Sequence, residues 1–145
     1  MIGINPTVAR ASAQGAAQNG ATLADVSLNI SNLRSGKGQL LVCLTQNPKG
    51  FPDCAKDSKA QKKTVPAGQA NDIIFTNVAP GLYAIAIVHD ENSNAKMDLR
   101  IFVPREGFAF SRNPKIGFGP PKFKSAAFEV GQSNVTQSVK MKYLF

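Results

Sequence analysis

Alternation of apolar and polar residues with a period of two is the feature that most constrains the fold of this chain. Within residues 135–144, Val139 and Met141 fall on one face and Ser138 falls on the other. The same period recurs in residues 24–30, and no window of twelve or more residues shows an apolar stripe at helical spacing. Because a period of two places alternate side chains on opposite faces of a strand, the chain is predicted to be all-β.

The other strand signals are short and are separated by turn residues. Residues 39–45 are apolar on both faces, which predicts a strand that is covered on each side by another layer or by a loop. Hairpins are predicted for residues 24–30 with 39–45 and for residues 72–76 with 82–89, because glycine and proline lie between the partners. With a further strand at residues 126–130, the pattern indicates an antiparallel, immunoglobulin-like β-sandwich of about seven strands.

The length of 145 residues corresponds to one domain. Residues 22–145 are predicted to form this domain. Residues 1–21 are rich in Ala, Gln, Gly and Asn without any period, and they are predicted to be a flexible or extended arm. The longest apolar run, Leu82–Val88, is much shorter than the roughly 20 residues of a membrane-spanning helix. No transmembrane segment is therefore predicted.

Residues 89–125 interrupt the strand pattern with several prolines and glycines. Long irregular segments in compact domains are usually functional or disordered. Disorder is disfavoured because the segment contains five phenylalanines, and burial of each contributes about 1.5–3 kcal/mol. We therefore expect a long, ordered cap loop anchored by phenylalanine, which forms a binding or assembly surface. The candidate residues of this surface are His89, Arg105, Glu106, Phe108, Phe110, Arg112 and Phe118.

Oxygen-bearing groups occur at every second position at the start of this segment. The candidate calcium ligands are Asp90, Asn92, Asn94, the backbone carbonyl of Lys96, and Asp98. This is the spacing of the first ligands in a calcium-binding loop. Ala95 replaces the glycine of the sharp turn and Ile101 replaces the bidentate glutamate, so a dissociation constant of about 10⁻⁴–10⁻³ M is expected unless Glu91 or Glu106 completes the shell. The alternative is a loop whose Asp and Asn side chains hydrogen-bond their own backbone.

Catalytic motifs are sparse in the sequence. His89 is the only histidine; it forms either an ion or proton site beside Asp90 or a strand-end imidazole bonded to a loop carbonyl. No Gly-x-Ser-x-Gly motif occurs. A carbohydrate-active enzyme that uses Asp90 with Asp98 or Glu106 as acid and base is an alternative. A non-enzymatic role is favoured because these groups do not assemble a triad.

The two cysteines, Cys43 and Cys54, fit neither a redox CxxC motif nor a zinc site with four ligands. In an oxidising compartment they can form a disulfide, which for a loop of this size would stabilise the fold by about 3 kcal/mol. The alternative is one buried and one exposed free thiol. A disulfide would indicate a location outside the reducing cytosol.

The net charge is +8, from 17 Lys and Arg against 9 Asp and Glu. This charge predicts attraction to anions, so an anionic cell-envelope polymer is a candidate partner. Nucleic acid is disfavoured because the phenylalanines beside the basic residues are expected in the core rather than stacked on bases. Another exported protein or a second copy of the chain, bound through the arm or an edge strand, is the structural alternative.

Lys56–Lys63 is predicted to be a short helical turn or an exposed loop.

Several sequence blocks resemble domain of unknown function 2141, a bacterial family with no established activity. These blocks are Pro80–Ile85, His89–Asn94 with Asp98, Pro104–Ser111, Phe118–Phe123 and Ala127–Phe128. The resemblance implies an exported bacterial protein, periplasmic or at the cell surface, with a prealbumin-like or carboxypeptidase-regulatory-like β-sandwich. Ala95 and Phe102 depart from glycines of the family pattern. The first departure weakens the calcium interpretation, and the second indicates a different packing of the cap.

Overall fold

The computed structural model describes residues 23–55, 57–91, 93, 106–116 and 119–143. Within these ranges the chain forms nine strands, one 3₁₀ helix and one short α-helix. The strands are β1 (Ala24–Ser31), β2 (Gln39–Thr45), β3 (Gln61–Pro66), β4 (Ile73–Val78), β5 (Gly81–Asp90), β6 (Gly107–Phe110), β7 (Phe128–Val130), β8 (Val135–Lys140) and β9 (Lys142–Tyr143). The 3₁₀ helix spans Ala67–Asp72, and α1 spans Phe123–Ala126. The predicted arm, residues 1–21, lies outside the described residues.

The strands form a sandwich of two sheets. One sheet has the order β4-β1-β8, and the other has the order β3-β2-β5-β6-β9, with β7 paired to the start of β5. The prediction of an all-β sandwich is confirmed. It is corrected in two respects: nine strands are present in the described ranges rather than about seven, and β1 pairs with β8 in parallel.

The two predicted hairpins are wrong. β1 pairs with β4 and β8, whereas β2 pairs with β3 and β5 in the other sheet. The β4–β5 connection also crosses between sheets. Turn residues indicate that the chain reverses, but they do not determine whether the reversed strand stays in the same sheet. At the β1–β2 crossing, Gly38 has φ 70°, and a Cβ there would clash with the carbonyl oxygen of Asp90.

The predicted helical turn or loop at Lys56–Lys63 is also corrected, because its last residues belong to β3. This strand lies at the edge of the six-stranded sheet, and nearly all its residues are exposed. An edge strand that covers little of the core does not need alternating apolar residues. The sequence therefore carried no signal for it.

The last predicted strand, residues 135–144, divides between the two sheets. β8 pairs with β1 and β9 pairs with β6, with the fully buried Met141 between them. At this point the Met141 N–H donates to the Ser31 carbonyl at 2.9 Å, and the Asn32 side chain donates to the Met141 carbonyl at 2.8 Å. A strand that changes sheet closes one corner of the sandwich.

The space between the sheets holds the larger hydrophobic cluster. Val26, Leu28 and Ile30 of β1 enter it at alternate positions, as the sequence predicted. Val42 of β2 and Ile87 of β5 belong to the same cluster. The predicted covering of β2 on both faces is confirmed, since every residue from position 40 to position 45 is buried.

Candidate functional site

A second hydrophobic layer covers the outer face of the six-stranded sheet, and we call it the outer cluster. Its members are Leu41, Phe51, Ala84, Ala86, Val88, Phe108, Phe110, Phe123, Ala126 and Ala127. The Phe51 ring meets Phe110 at 5.8 Å and Phe123 at 6.0 Å between centroids, edge to face in both cases. Phe108 and Phe110, two candidate surface residues, are each only 2% exposed. They therefore anchor the 89–125 segment instead of presenting a surface.

Ser111 joins the outer cluster to β5. Its N–H donates to the Ile85 carbonyl at 3.0 Å, and its Oγ accepts the Ile85 N–H at 2.9 Å. The Ser111 hydroxyl donates to the Ala126 carbonyl at the end of α1. One fully buried hydroxyl thus satisfies backbone groups from two elements. No sequence pattern indicated this role, because a serine after a strand is common in turns.

A disulfide joins Cys43 of β2 to Cys54, as predicted. Both residues are almost completely buried, at 0% and 1% exposure. We call residues 43–54 the disulfide loop. This loop carries Phe51 over the outer face of the sheet, so the covalent bond and the aromatic contacts hold the same segment.

An open groove of about 510 Å³ lies between the disulfide loop and the start of α1. We call it the proline groove. It is lined by Pro48, Phe51, Pro52, Pro120, Pro121, Lys122, Phe123 and Lys124. Its volume falls within the range of about 300–1,000 Å³ that is typical of small-molecule sites. It is therefore a concave feature large enough for a small ligand, and Phe51 and Phe123 of the outer cluster line it.

A larger groove of about 750 Å³ lies elsewhere, beside the start of β3, and its lining is mostly polar. The acidic group in its lining, Asp57, accepts hydrogen bonds from the Thr45 hydroxyl and the Lys59 N–H. This carboxylate is thus occupied by donors of the protein itself. The groove is outside the predicted surface.

His89 points between the sheets and is fully buried. Its Nε2 lies 2.8 Å from the Lys37 carbonyl oxygen, so Nε2 carries the hydrogen. This contact matches the alternative of a strand-end imidazole bonded to a loop carbonyl. Its Nδ1 lies 2.8 Å from the Tyr143 Oη, which also accepts the Arg34 N–H at 3.2 Å. In a neutral imidazole, Nδ1 therefore accepts the phenol hydrogen.

An ion pair lies beside this histidine at the surface. Arg34 Nη2 is 2.6 Å from Glu91 Oε1, and the Ser35 hydroxyl donates to the other carboxylate oxygen at 2.7 Å. Hydrogen bonds from Arg34 and then from Ser35 lower the pKa of Glu91. The Arg34 guanidinium also lies 4.4 Å from the centroid of the Tyr143 ring. Glu91 is therefore engaged within the protein.

Asp90 is the last residue of β5, and Glu106 immediately precedes β6, the strand that pairs with β5. Asp90 is fully buried, and its Oδ2 accepts a hydrogen bond from the Gln39 side chain at 3.0 Å. Burial raises the pKa of Glu106, and the nearby Asp90 carboxylate raises it further. Two carboxylates thus share one end of the sandwich.

Replacing Glu106 with glutamine should raise the free energy of unfolding near neutral pH. The folded-state pKa of Glu106 lies above the ordinary value of a glutamate, so the native protein is most favoured while this group is protonated. That contribution is lost as the pH rises through the folded-state pKa. The urea midpoint at pH 7, relative to that at pH 4, should therefore be higher for Glu106→Gln than for the wild type. Glu129→Gln, at an exposed position, is the control, and equal pH dependence in both variants would contradict the assignment.

The remaining predicted calcium ligands, Asn92, Asn94, Lys96 and Asp98, lie outside the described residues, as do Arg105 and Phe118. In the described ranges, no group of three or more His, Cys, Asp or Glu residues could hold a metal ion. Asp90 begins a tight turn, in which its carbonyl accepts the Ser93 N–H at 3.2 Å. Calcium binding stays a prediction.

The comparison with protein families accounts for most of the chain. Residues 28–138 match the model of DUF2141, described as an uncharacterized protein conserved in bacteria. The chain belongs to the DUF2141 family. No curated protein and no solved structure matches the chain. None of the helices in the described ranges is long and apolar enough to cross a membrane.

The DUF2141 match includes the disulfide, the outer cluster and both carboxylates at the end of the sandwich. It ends before Met141 and Tyr143. The phenol that contacts His89 therefore belongs to a part of this chain outside the DUF2141 match, whereas His89 and Lys37 lie inside it.

Proposed function

We propose that this member of DUF2141 is a non-enzymatic, exported binding module. Its ligand is an anionic component of the bacterial cell envelope, and its contact surface is the 89–125 segment. The observation that carries the proposal is the outer cluster, which holds Phe108, Phe110 and Phe123 of this segment against the six-stranded sheet. A segment that is rigidly held and bears exposed basic residues can present a fixed set of charges to a ligand.

The charges of this surface favour an anion. Arg112, Lys115, Lys122 and Lys124 are all exposed. Arg112 is also fixed by its own backbone position, with φ 66°, and by a hydrogen bond to the Ala127 carbonyl at 3.3 Å. The net charge of +8 adds long-range attraction.

Export is supported by the disulfide, because such bonds persist in oxidising compartments and are rare in the cytosol. A binding role is favoured over the catalytic alternative by the environment of Asp90. This carboxylate is fully buried and accepts a hydrogen bond from Gln39. A buried, hydrogen-bonded carboxylate can stabilise the end of β5, but it is not accessible to act as an acid or base on a glycan.

The direct test is binding to alginate, a lipid-free acidic glycan, measured by fluorescence anisotropy. Replacing Lys115, Lys122 and Lys124 together with glutamine should weaken binding about tenfold or more, which is about 1.4 kcal/mol or more. The matched control replaces the exposed Lys37, Lys59 and Lys62, so the net charge falls by the same amount. Equal weakening by both variants, or no binding by the wild type, would overturn the proposal.

Calcium stabilisation of the loop is the second part of the proposal. It is supported by the buried Asp90 carboxylate and the neighbouring Glu106, whose mutual repulsion a cation would relieve. For a dissociation constant of about 10⁻⁴–10⁻³ M, 10 mM calcium should add about 1.4–2.7 kcal/mol to the free energy of unfolding. The melting temperature should rise by several degrees and should fall again with chelator.

Asp90→Asn should abolish this calcium-dependent shift in melting temperature. Glu129→Gln removes one exposed carboxylate elsewhere and should leave the shift unchanged. Identical melting curves with calcium and with chelator for the wild type would contradict the proposal that calcium stabilises the loop.

A further inference from the structure

The proline groove combines an apolar floor with a cationic side. Four of its lining residues are prolines, and two are the aromatic rings of Phe51 and Phe123. Within the described ranges, the charged residues of its lining are Lys122 and Lys124, both of which are exposed. Binding of the proposed anionic polymer would require only exposed lysines and arginines and no apolar lining. A groove with this apolar lining indicates a ligand that also has a hydrocarbon part.

The groove is held in shape before any ligand binds. Phe51 and Phe123 contact each other edge to face at 6.0 Å and are both buried in the outer cluster. The disulfide between Cys43 and Cys54 fixes one wall. On the other wall, the Ser125 N–H donates to the Lys122 carbonyl at 3.0 Å. This hydrogen bond closes the first turn of α1. Proline side chains lose almost no rotamer freedom, so little ordering opposes binding.

Charge complementarity decides the class of ligand. Among the described residues that line the groove none is acidic; Lys122 and Lys124 come from the start of α1, whereas Pro48 and Pro52 come from the disulfide loop. A hydrocarbon chain that lies along the prolines would place its end group near these lysines. A neutral end group would leave the two ammonium groups without a counter-charge, whereas a carboxylate would accept hydrogen bonds from them.

We propose that the proline groove is a binding site for a single-chain fatty carboxylate, with the alkyl chain on the proline and phenylalanine floor and the carboxylate on Lys122 and Lys124. This site goes beyond the proposed polymer binding, which does not require an apolar floor. The two share the lysine pair, so the groove itself must be tested by a different substitution.

The probes are decanoate, octanoate and decan-1-ol, each below its aggregation concentration, measured by titration calorimetry on the full chain. Decanoate should bind about 16-fold more tightly than octanoate, because each buried methylene is expected to contribute about fourfold. Decanoate should also bind more tightly than decan-1-ol, which has the same chain but no charge. Lys122→Gln with Lys124→Gln should remove this second difference, whereas Lys37→Gln with Lys62→Gln should preserve it.

Pro48→Glu places a carboxylate in the groove and should abolish decanoate binding. Pro80→Glu is the matched control, because Pro80 is an exposed turn proline that does not line the groove. If the wild type binds decanoate but does not bind alginate, the proposed function is overturned and this site is retained. If the wild type binds alginate but does not bind decanoate, this site alone is overturned. Equal affinity for both chain lengths, or binding to phosphatidylglycerol vesicles without binding of decanoate, would also overturn it.

Discussion

Phe110→Ala should lower the free energy of unfolding by about 3–5 kcal/mol, which is the usual range for removing a buried phenylalanine. Phe110 is 2% exposed and belongs to the outer cluster, where its ring contacts Phe51 and Phe108. The substitution would remove the ring contact between the sheet and Phe51 of the disulfide loop. Urea unfolding of both proteins, monitored by circular dichroism, measures the change.

Leu82→Ala is the control for this measurement. Leu82 lies on β5 but is 52% exposed, so its replacement should change stability by less than about 0.5 kcal/mol. If Phe110→Ala lowers the free energy of unfolding by less than about 1 kcal/mol, packing in the outer cluster does not stabilise the fold as proposed. That result would show that the 89–125 segment is not fastened to the sheet by its phenylalanines.

Replacing Cys43 and Cys54 together with alanine should lower the free energy of unfolding by about 3 kcal/mol. The bond joins residues separated by 11 positions, and closure of a loop of that size removes about this much free energy from the unfolded chain. Alanine avoids the buried hydroxyl that serine would introduce. Thermal and urea unfolding should report the same loss.

Reductant separates the covalent effect from changes in packing. Dithiothreitol, added under conditions that give it access to the buried sulfurs, should lower the stability of the wild type toward that of the double variant. The double variant itself should not respond. A wild type that is fully reduced but equally stable would contradict a stabilising role for the bond. Phe110→Ala combined with the double variant should be non-additive, because Phe51 of the disulfide loop touches Phe110.

Much of the fold was predictable where burial imposes a period. The alternation in β1 and the apolar faces of β2 specified which residues enter the core, and the structure places them there. The disulfide was also predictable, since two cysteines with a short loop between them have few other roles outside the cytosol. Two phenylalanines of the candidate surface, Phe108 and Phe110, were correctly expected to anchor the segment.

Other contacts left no local signal in the sequence. β3 is exposed on both faces, so no pattern marked it as a strand. Ser111 acts through backbone groups of β5 and α1, which are distant in sequence. The partners of His89 come from Lys37 and Tyr143, which are 52 and 54 positions away. No property of the histidine's neighbours in the chain could identify them.

The sequence by itself determined that this chain is all-β, which of its faces are apolar, and that its two cysteines can pair. These properties follow from side-chain period and composition, which are local. Only the tertiary structure decided that β1 and β2 belong to different sheets, that the 89–125 segment and the disulfide loop share one outer cluster, and that the proline groove lies between them. Those features depend on which surfaces meet, because the free energy of burial is set by the total apolar area covered and not by the order of residues along the chain.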